Sequence, residues 1–539
     1  MEKEYFLSEK PEKDYIKTVS YGERKKIGQF FTPKLISDLM ASWVVNAHGT
    51  KILDPSMGLG IFFRSIIKNH PKQVNDLEFF GIEKDTKILE QSKKLFQNYH
   101  PITKPIIHYI NEDFLDNWEM KYDGIICNPP YLKFNDYENK DSILKFRSKF
   151  DQNFSGLSNI YSLFILKSLK QLNKGGRAAF IVPSEFMNAD YGKEIKKFIK
   201  KNFTLRFIIV IDFNMGVFDD VTTTSAILLF ADDENAGNIQ FIDVTNIDNF
   251  NLIKARLNFY PEQGMIGKMK KLSELDENKK WRNYYQEMNS DKYKNLVPFS
   301  DYANVSRGIA TGANGYFTFS EKKLKQYKID KQKLLPCVTK AADITNSFFE
   351  KSDFEKLKNN DKSVYLLNAS DLNDSNLRRY IELGEKEGIN KRYLTSHRNP
   401  WYSIENKDPA PILVKVFNRA EVQFIRNEAN VYNLTSFHCV YLNSKGKSKI
   451  DIITAYLLTD IAKQIFNDNR REYGNGLKKF EPNDFNNSLM IDLDLIDKEN
   501  ELLILKLLKK LRENESNGKN TEKIKKDLNS IFRIFLISH

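Results

Sequence analysis

Cysteine is scarce: Cys127, Cys337 and Cys439 are the only three in 539 residues. Their odd number, wide separation and lack of metal-type spacing exclude a disulfide framework and a cysteine-built zinc site, so no metal is expected. No run approaches the ~20 consecutive apolar residues that a membrane span requires. The opening stretch MEKEYFLSEKPEKDY lacks the apolar centre of a secretory signal. A cytoplasmic protein away from the membrane is the plain reading. There are no internal repeats and no long low-complexity tract. Acidic residues are in the minority, 71 against 83 Lys and Arg, giving a formal charge of +12. Such an excess suits a polyanionic partner, because cationic side chains displace counterions condensed on phosphates. It equally suits a soluble, lysine-rich surface.

What the chain has is enough apolar material for substantial cores (41% hydrophobic) and a length that allows three or four domains, or two large ones. From Lys51 to about Asp232, KILDPS, LEFFGIE, IIHYINEDF, DGIICNPP, RAAFIVPS, LRFIIVIDF and TSAILLF read as strands. Helical patterns lie between several of them, including IYSLFILKSLKQLNKGG, read as a helix with a glycine stop. Alternation of this kind implies an α/β fold with a mostly parallel, doubly wound sheet. Ligands then bind at the carboxyl ends of its strands. The expected boundaries are an N-terminal extension over 1–20, a first domain over 21–245, a charged linker over 246–295, a mixed second domain over 296–495 and two amphipathic helices over 496–539. The mixed charges on those two helices favour packing against the second domain over binding a membrane.

Four strand tips carry chemistry. In DPSMGLGIFF, Gly58 and Gly60 allow a tight turn and close backbone approach, and the next helix offers free N–H groups. A glycine loop alone is weak evidence, since a turn before any helix looks similar. Here it opens with Asp54, whose carboxylate can hold a ligand's ammonium group. Glu83 ends the second strand and can accept from two ribose hydroxyls. Asp113 ends the third and can accept from an exocyclic amine, with Phe114 packing on a purine. Each is individually compatible with a capped strand end; together they outline an adenosine-shaped pocket with an amino-acid end at Asp54. No phosphate-binding lysine follows the glycines, so the ligand is a nucleoside without phosphates. S-adenosylmethionine fits.

The fourth strand delivers Asn128, Pro129, Pro130 and Tyr131 to the same edge. The prolines fix φ and withdraw donors, so the Pro129 carbonyl and the Asn128 side-chain oxygen can face one point. Two such acceptors suit an amino group conjugated to a ring. Binding both its protons localises the nitrogen lone pair for attack on a methyl sulfonium, by positioning and electrostatics rather than strong-base chemistry. Tyr131 can stack on that ring. The bland alternative is a rigid turn.

With these motifs the chain resembles the N6-adenine DNA methyltransferases of the TaqI-like, gamma-ordered type, over residues 20–232 closely and beyond them more loosely. GQFFTP, with Thr32, resembles the segment that closes over the methionine end of the cofactor. SNIYSLF resembles the motif whose phenylalanine, here Phe164, contacts the cofactor adenine. GVFDDVTTTSAILLF resembles the hairpin whose aromatic, here Phe218, stacks on a flipped base opposite Tyr131; a core phenylalanine is the alternative reading. The resemblance implies a Rossmann-like methyltransferase sheet followed by a mixed α/β target-recognition domain and C-terminal helices. It also implies adenine rather than N4-cytosine as target, and double-stranded DNA as partner. A base inside a duplex hides its amino group, so extrusion between two aromatics is expected.

In the second domain, SDYANVSRGIATGANGYFTF, HRNPWYSI, ILVKVFNRAEVQFIRN and NRREYGNGLKKFEPNDF resemble target-recognition segments. They make Arg307, Arg398, Lys415, Arg419, Arg471 and Lys478 candidate DNA contacts, to bases or to phosphates. For each one alone, a phosphate contact or a solvated charge is the better reading. The segment ahead of the first motif is too short for a nuclease fold. The expectation is therefore a stand-alone, monomeric modification enzyme with a cognate restriction endonuclease as genetic partner, or an orphan. Rival readings are a methylase of RNA guanine or protein glutamine, and a non-catalytic DNA-binding subunit. The large basic second domain and the Phe218 motif argue against the first rival. Intact Asp54, Glu83, Asp113 and Asn128 argue against the second.

Overall fold

The computed structural model describes residues 2–536 apart from 100–104, 117, 151–158, 203, 212–223, 236, 245, 263–265, 370–371, 419–420 and 474–476. Two compact units make up the chain: Met1–Gln286 with Glu472–Gly476, and Glu287–Arg471 with Leu477–His539.

The first unit opens with three short helices, α1 (Glu2–Phe6), α2 (Lys10–Thr18) and α3 (Tyr21–Lys26), and the longer α4 (Lys34–Val44). Then come β1 (Lys51–Asp54), α5 (Ile61–Asn69), β2 (Glu78–Ile82), α6 (Thr86–Gln97), β3 (Ile106–Ile110), β4 (Tyr122–Cys127), α7 (Lys140–Ser148) and α8 (Ile160–Gln171). The series ends with β5 (Leu172–Pro183), α9 (Lys193–Asn202), β6 (Leu205–Ile211), β7 (Ser225–Ala231), β8 (Asn238–Val244), α10 (Asn249–Leu257) and β9 (Lys268–Lys271).

Among the described residues these strands form one sheet in the order β3-β2-β1-β4-β5-β7-β6-β8-β9. β3 to β5 are all parallel, while β7 runs antiparallel to both β5 and β6. The chain winds outward from β1 through β2 to β3, then returns to β4 on the other side of β1. That reversal places the switch point between β1 and β4, where such sheets leave a crevice. All seven expected strands are present.

Strand alternation builds two cores. Ile52, Phe79, Ile126, Ile181, Ile209 and Ile227 point to one face with α4, α5 and α10. Their neighbours Leu53, Phe80, Ile125, Phe180, Ile208 and Leu228 point to the other, with α8 and α9. Burial on both faces explains the apolar runs Phe207–Ile211 in β6 and Ala226–Ala231 in β7.

Two expectations are revised. The glycines after α8 do not stop it: the helix ends at Gln171, and Gly175 and Gly176 lie inside β5. Residues 246–286, expected as linker, supply α10 and the edge strand β9 and bury Phe250, Ile253, Leu257 and Trp281. Their apolar residues fall singly or in pairs between charged and polar ones, which hides the pattern. The N-terminal extension is docked: Phe6 is 2% exposed and stacks on Tyr99 with ring centroids 4.0 Å apart.

In the second unit a five-stranded sheet aligns Ala303–Arg307, Phe437–Leu442, Ile412–Lys415, Phe424–Asn427 and Phe348–Phe349 in that order. The helices Lys498–Ser516 and Glu522–Ile534 sink Ile504, Leu508, Leu511, Leu528 and Phe532 into a core shared with Ile453, Tyr456 and Phe466. Among the described residues no helix is long and apolar enough to cross a membrane.

Candidate active site

At the switch point, past the carboxyl ends of β1, β2 and β4, lies a cavity of 370 Å³, a size suited to a small-molecule ligand. Its walls include Gly58, Glu83, Asp113, Asn128 and Phe164, with the Gly28–Thr32 segment across from them. The structure therefore brings the cofactor-pocket candidates to one place, Asp54 lying just behind the wall.

The glycine loop is fixed at both ends. Met57 N–H donates to Ile82 O at 2.9 Å, and Gly60 takes φ +75° as it hands over to α5, a conformation open to glycine without penalty. Glu83 braces the same loop: Oε2 accepts from Gly58 N at 2.9 Å and Oε1 from Asp85 N at 2.9 Å. The backbone of Lys84 also contributes a hydrogen bond, and the carboxylate still has acceptor capacity to spare. Burial raises the Glu83 carboxyl above its ordinary range.

Asp54 is completely buried while Pro55 and Ser56 line the cavity. Its Oδ1 accepts from Ser56 N at 3.1 Å; Oδ2 is buried and accepts from nothing. Desolvation, first, and then the charge of Glu83 push this carboxyl well up. An acceptor left dry in this way is costly unless a ligand donor completes it. Two more such oxygens, Glu12 Oε2 and Gln29 Oε1, are buried without a partner on residues that line the cavity. This set of acceptors thus suits a ligand rich in N–H and O–H groups, and a cationic one.

Asp113 differs from the expected open acceptor. Tyr137 O–H lies 2.7 Å from both of its oxygens. Leu115 N at 3.1 Å and Asn139 Nδ2 at 3.3 Å also donate to it, so three protein donors already crowd the carboxylate. Phe114 and Phe164 meet at 5.0 Å and are both buried. Beneath them Lys167, wholly buried, donates to Phe114 O with its ammonium 3.9 Å from the Phe114 ring centroid. Desolvation lowers its pKa to about 7. Neither Tyr137, in a polar stretch, nor Lys167, in an apolar helix, belongs to a motif that marks it in the sequence.

Asn128 is held through its nitrogen. Nδ2 donates to Phe30 O at 2.7 Å and to Thr32 Oγ1 at 3.0 Å. A backbone carbonyl can only accept, so the amide's orientation is set and its oxygen is left over. The main chain is clamped as well, Ser56 Oγ donating to Asn128 O at 2.8 Å. Pro129 is buried between Asn128 and Pro130, which both line the cavity. Gly28 closes against the same turn, accepting from Tyr131 N at 3.1 Å. With φ +68° and Tyr131 N only 2.7 Å from where a Cβ would stand, position 28 admits no side chain. Tyr131 donates its hydroxyl to Ile181 O at 3.1 Å, and Phe30 stacks on its ring at 5.5 Å.

A family model described as "N-6 DNA Methylase" matches residues 15–303, which hold every feature above except Glu12. A second, "Type II methyltransferase M.Eco57I, C-terminal domain", matches residues 275–529. The chain is 48% identical to the type II methyltransferase M.AccI of Acinetobacter calcoaceticus over 97% of its length and 96% of that protein's. The chain belongs to the N-6 DNA methylase family. Within that family it groups with type II methyltransferases. M.XamI of Xanthomonas campestris pv. amaranthicola is 23% identical over 85% of this chain and 84% of its own. Among solved structures, a nuclease-deletion mutant of the Type ISP restriction-modification enzyme LlaGI covers 90% of this chain and 54% of its own at 13% identity and a TM-score of 0.49.

The remaining candidates of this methylase divide. Phe218 and Arg419 lie outside the described residues, as do the side chains of Arg471 and Lys478. Arg307 is exposed, its nearest carboxylate oxygen Glu405 Oε1 at 3.7 Å. Arg398, expected to face DNA, is turned inward. It donates to Thr311 O at 3.3 Å, Ser403 O at 3.1 Å and Ala310 O, knitting its own loop to the GIATGANG segment. Lys415 likewise donates to Ile344 O at 2.7 Å. Nearby backbone carbonyls left without a donor claim these cations first.

Proposed function

We propose that this chain transfers a methyl group from S-adenosylmethionine to the N6 amino group of an adenine extruded from duplex DNA at a specific site. The observation that carries this reading is the Asn128 amide: its nitrogen is anchored by Phe30 and Thr32, so its oxygen is the free, oriented acceptor at the cavity rim. When bound, the cofactor supplies an electrophilic methyl group. Glu83 holds the ribose hydroxyls on its remaining lone pairs, Asp54 and the glycine loop take the amino-acid end, and Phe114 and Phe164 hold the adenine. Asn128 Oδ1 and the Pro129 carbonyl accept the two protons of the target amine, concentrating its lone pair toward the methyl group. Acceptors preorganised in this way need no reorganisation during reaction.

Tyr131, with its hydroxyl anchored, offers a fixed ring for the extruded base, and Phe218 closes the other side of that base. Basic side chains of the second unit, Arg307 among them, hold the duplex. Adenine rather than cytosine as target is supported by the family and the Asn-Pro-Pro-Tyr form. A cognate restriction endonuclease, against which the modification protects, is the corresponding genetic partner.

Methylome sequencing of DNA from cells expressing the chain tests this directly. N6-methyladenine at one sequence motif, lost with Asn128→Ala, is the expected result. Absence of modified bases, or N4-methylcytosine in their place, would overturn it.

A further inference from the structure

The N-terminal helix α2 forms part of the cavity wall. The segment is gripped by Arg64, a fully buried residue of α5. Arg64 donates to Phe6 O at 2.6 Å and to Ser8 O at 2.7 Å, and pairs through its other terminal nitrogen with Glu12 Oε1. Breaking such a buried pair is costly, so Glu12 is held in one place. The pairing uses only one of its oxygens. Glu12 is 3% exposed, it lines the cavity, and Oε2 accepts no hydrogen bond. One turn along the helix, Tyr15 engages Gln29, whose Oε1 is also buried, unpartnered and on a lining residue.

A dry carboxylate oxygen and a dry amide oxygen, on two residues that line the same cavity, call for a group with several N–H donors and a positive charge. Of the chemical groups in the proposed cofactor, the α-ammonium of the amino-acid moiety has both. Adenine and ribose present no cationic donor, and the sulfonium has no N–H. We infer that Glu12, oriented by Arg64, is a cofactor-positioning carboxylate that receives the ammonium group, with Gln29 Oε1 as a second acceptor. The N-terminal helix is thereby part of the cofactor site and not an appendage to it. This inference rests on the S-adenosylmethionine reading given above.

Two ligands separate the possibilities on the full-length chain. S-adenosylhomocysteine carries the amino-acid end without the sulfonium charge; 5′-methylthioadenosine keeps the nucleoside and lacks the amino-acid end. Glu12→Gln preserves shape and removes the charge. In titration calorimetry it is expected to weaken S-adenosylhomocysteine about tenfold while leaving 5′-methylthioadenosine within about twofold, a tenfold change being about 1.4 kcal/mol. Gln29→Leu is expected to show the same selectivity more weakly, and serves should Glu12→Gln fail to fold. Equal loss for both ligands would reduce Glu12 to a structural tie, and no loss for either would remove it from the site; both outcomes overturn the inference. If the unaltered chain binds neither ligand, the cofactor reading itself fails.

Discussion

Thr32 Oγ1 accepts the side-chain N–H of Asn128 at 3.0 Å, sharing that nitrogen with the carbonyl of Phe30 at 2.7 Å. The hydroxyl and the carbonyl together stop the amide from turning over. Thr32→Val keeps the shape and deletes one of the two acceptors. With cofactor and DNA saturating, single-turnover methyl transfer is expected to slow by about tenfold, the equivalent of about 1.4 kcal/mol. Asn128→Ala should slow it far more, with cofactor binding retained. An unaltered rate for Thr32→Val would show that the carbonyl alone orients the amide.

Much of this site is legible in the sequence, because strand tips recur with the α/β period and put Glu83, Asp113 and Asn128 on one edge. The anchoring of Asn128 is not legible. One of its partners, Phe30 O, is a backbone atom 98 positions away, and backbone groups leave no mark on residue identity. Glu12 is invisible for a different reason. In KPEKDYIKT it is one charge among several, and nothing local distinguishes the carboxylate that folding buries against Arg64. Trp281 and the edge strand β9 are hidden by charged neighbours, while β8 follows the polar ADDENAGN, which interrupts the alternation of strands and helices.

Tyr137 donates its one hydroxyl proton to Asp113, lying 2.7 Å from either carboxylate oxygen. If the adenine amine of the cofactor binds Asp113, it competes with that hydroxyl. Tyr137→Phe should then tighten S-adenosylmethionine by about two- to tenfold, the worth of one neutral hydrogen bond at about 0.5–1.5 kcal/mol. Titration calorimetry reads the sign. Weaker or unchanged binding would mean that Asp113 serves the fold by holding Tyr137, and that the amine is held elsewhere.

Asp54 and Glu83 are both raised by burial above the ordinary carboxylate range. The ligand-free protein therefore binds more protons than the unfolded chain from the unfolded carboxylate range, about 4, up to the raised values. Its stability should fall as pH rises through that window. A cationic ligand favours the ionised carboxylates, so binding should release protons there and affinity should strengthen with pH. Calorimetry in buffers of different ionisation enthalpy measures the release, and thermal melts against pH measure the slope. Asp54→Asn should flatten both. Proton uptake on binding would contradict the placement of a cation near these groups.

Arg307 and Arg398 look alike in the sequence, each a cation in a loop of glycine, asparagine and aromatics, yet the structure gives them opposite tasks. Arg398 supplies donors to three backbone carbonyls. Arg398→Ala leaves those acceptors short, so it should destabilise the second unit by on the order of 2 kcal/mol. That loss appears as a lower melting temperature, and DNA affinity should fall only as far as the fold does. Arg307 stands out from the surface, and its nearest carboxylate oxygen, at 3.7 Å, is too distant to claim it as a hydrogen-bond partner. Arg307→Ala should leave the melting temperature unchanged and weaken duplex binding. If the guanidinium meets a phosphate, all duplexes weaken alike and the dependence of log affinity on log salt flattens by about 1. If it meets a base, the methylated motif relaxes at one position while the salt slope holds. A melting temperature that drops for Arg307→Ala and stays fixed for Arg398→Ala would reverse the two assignments.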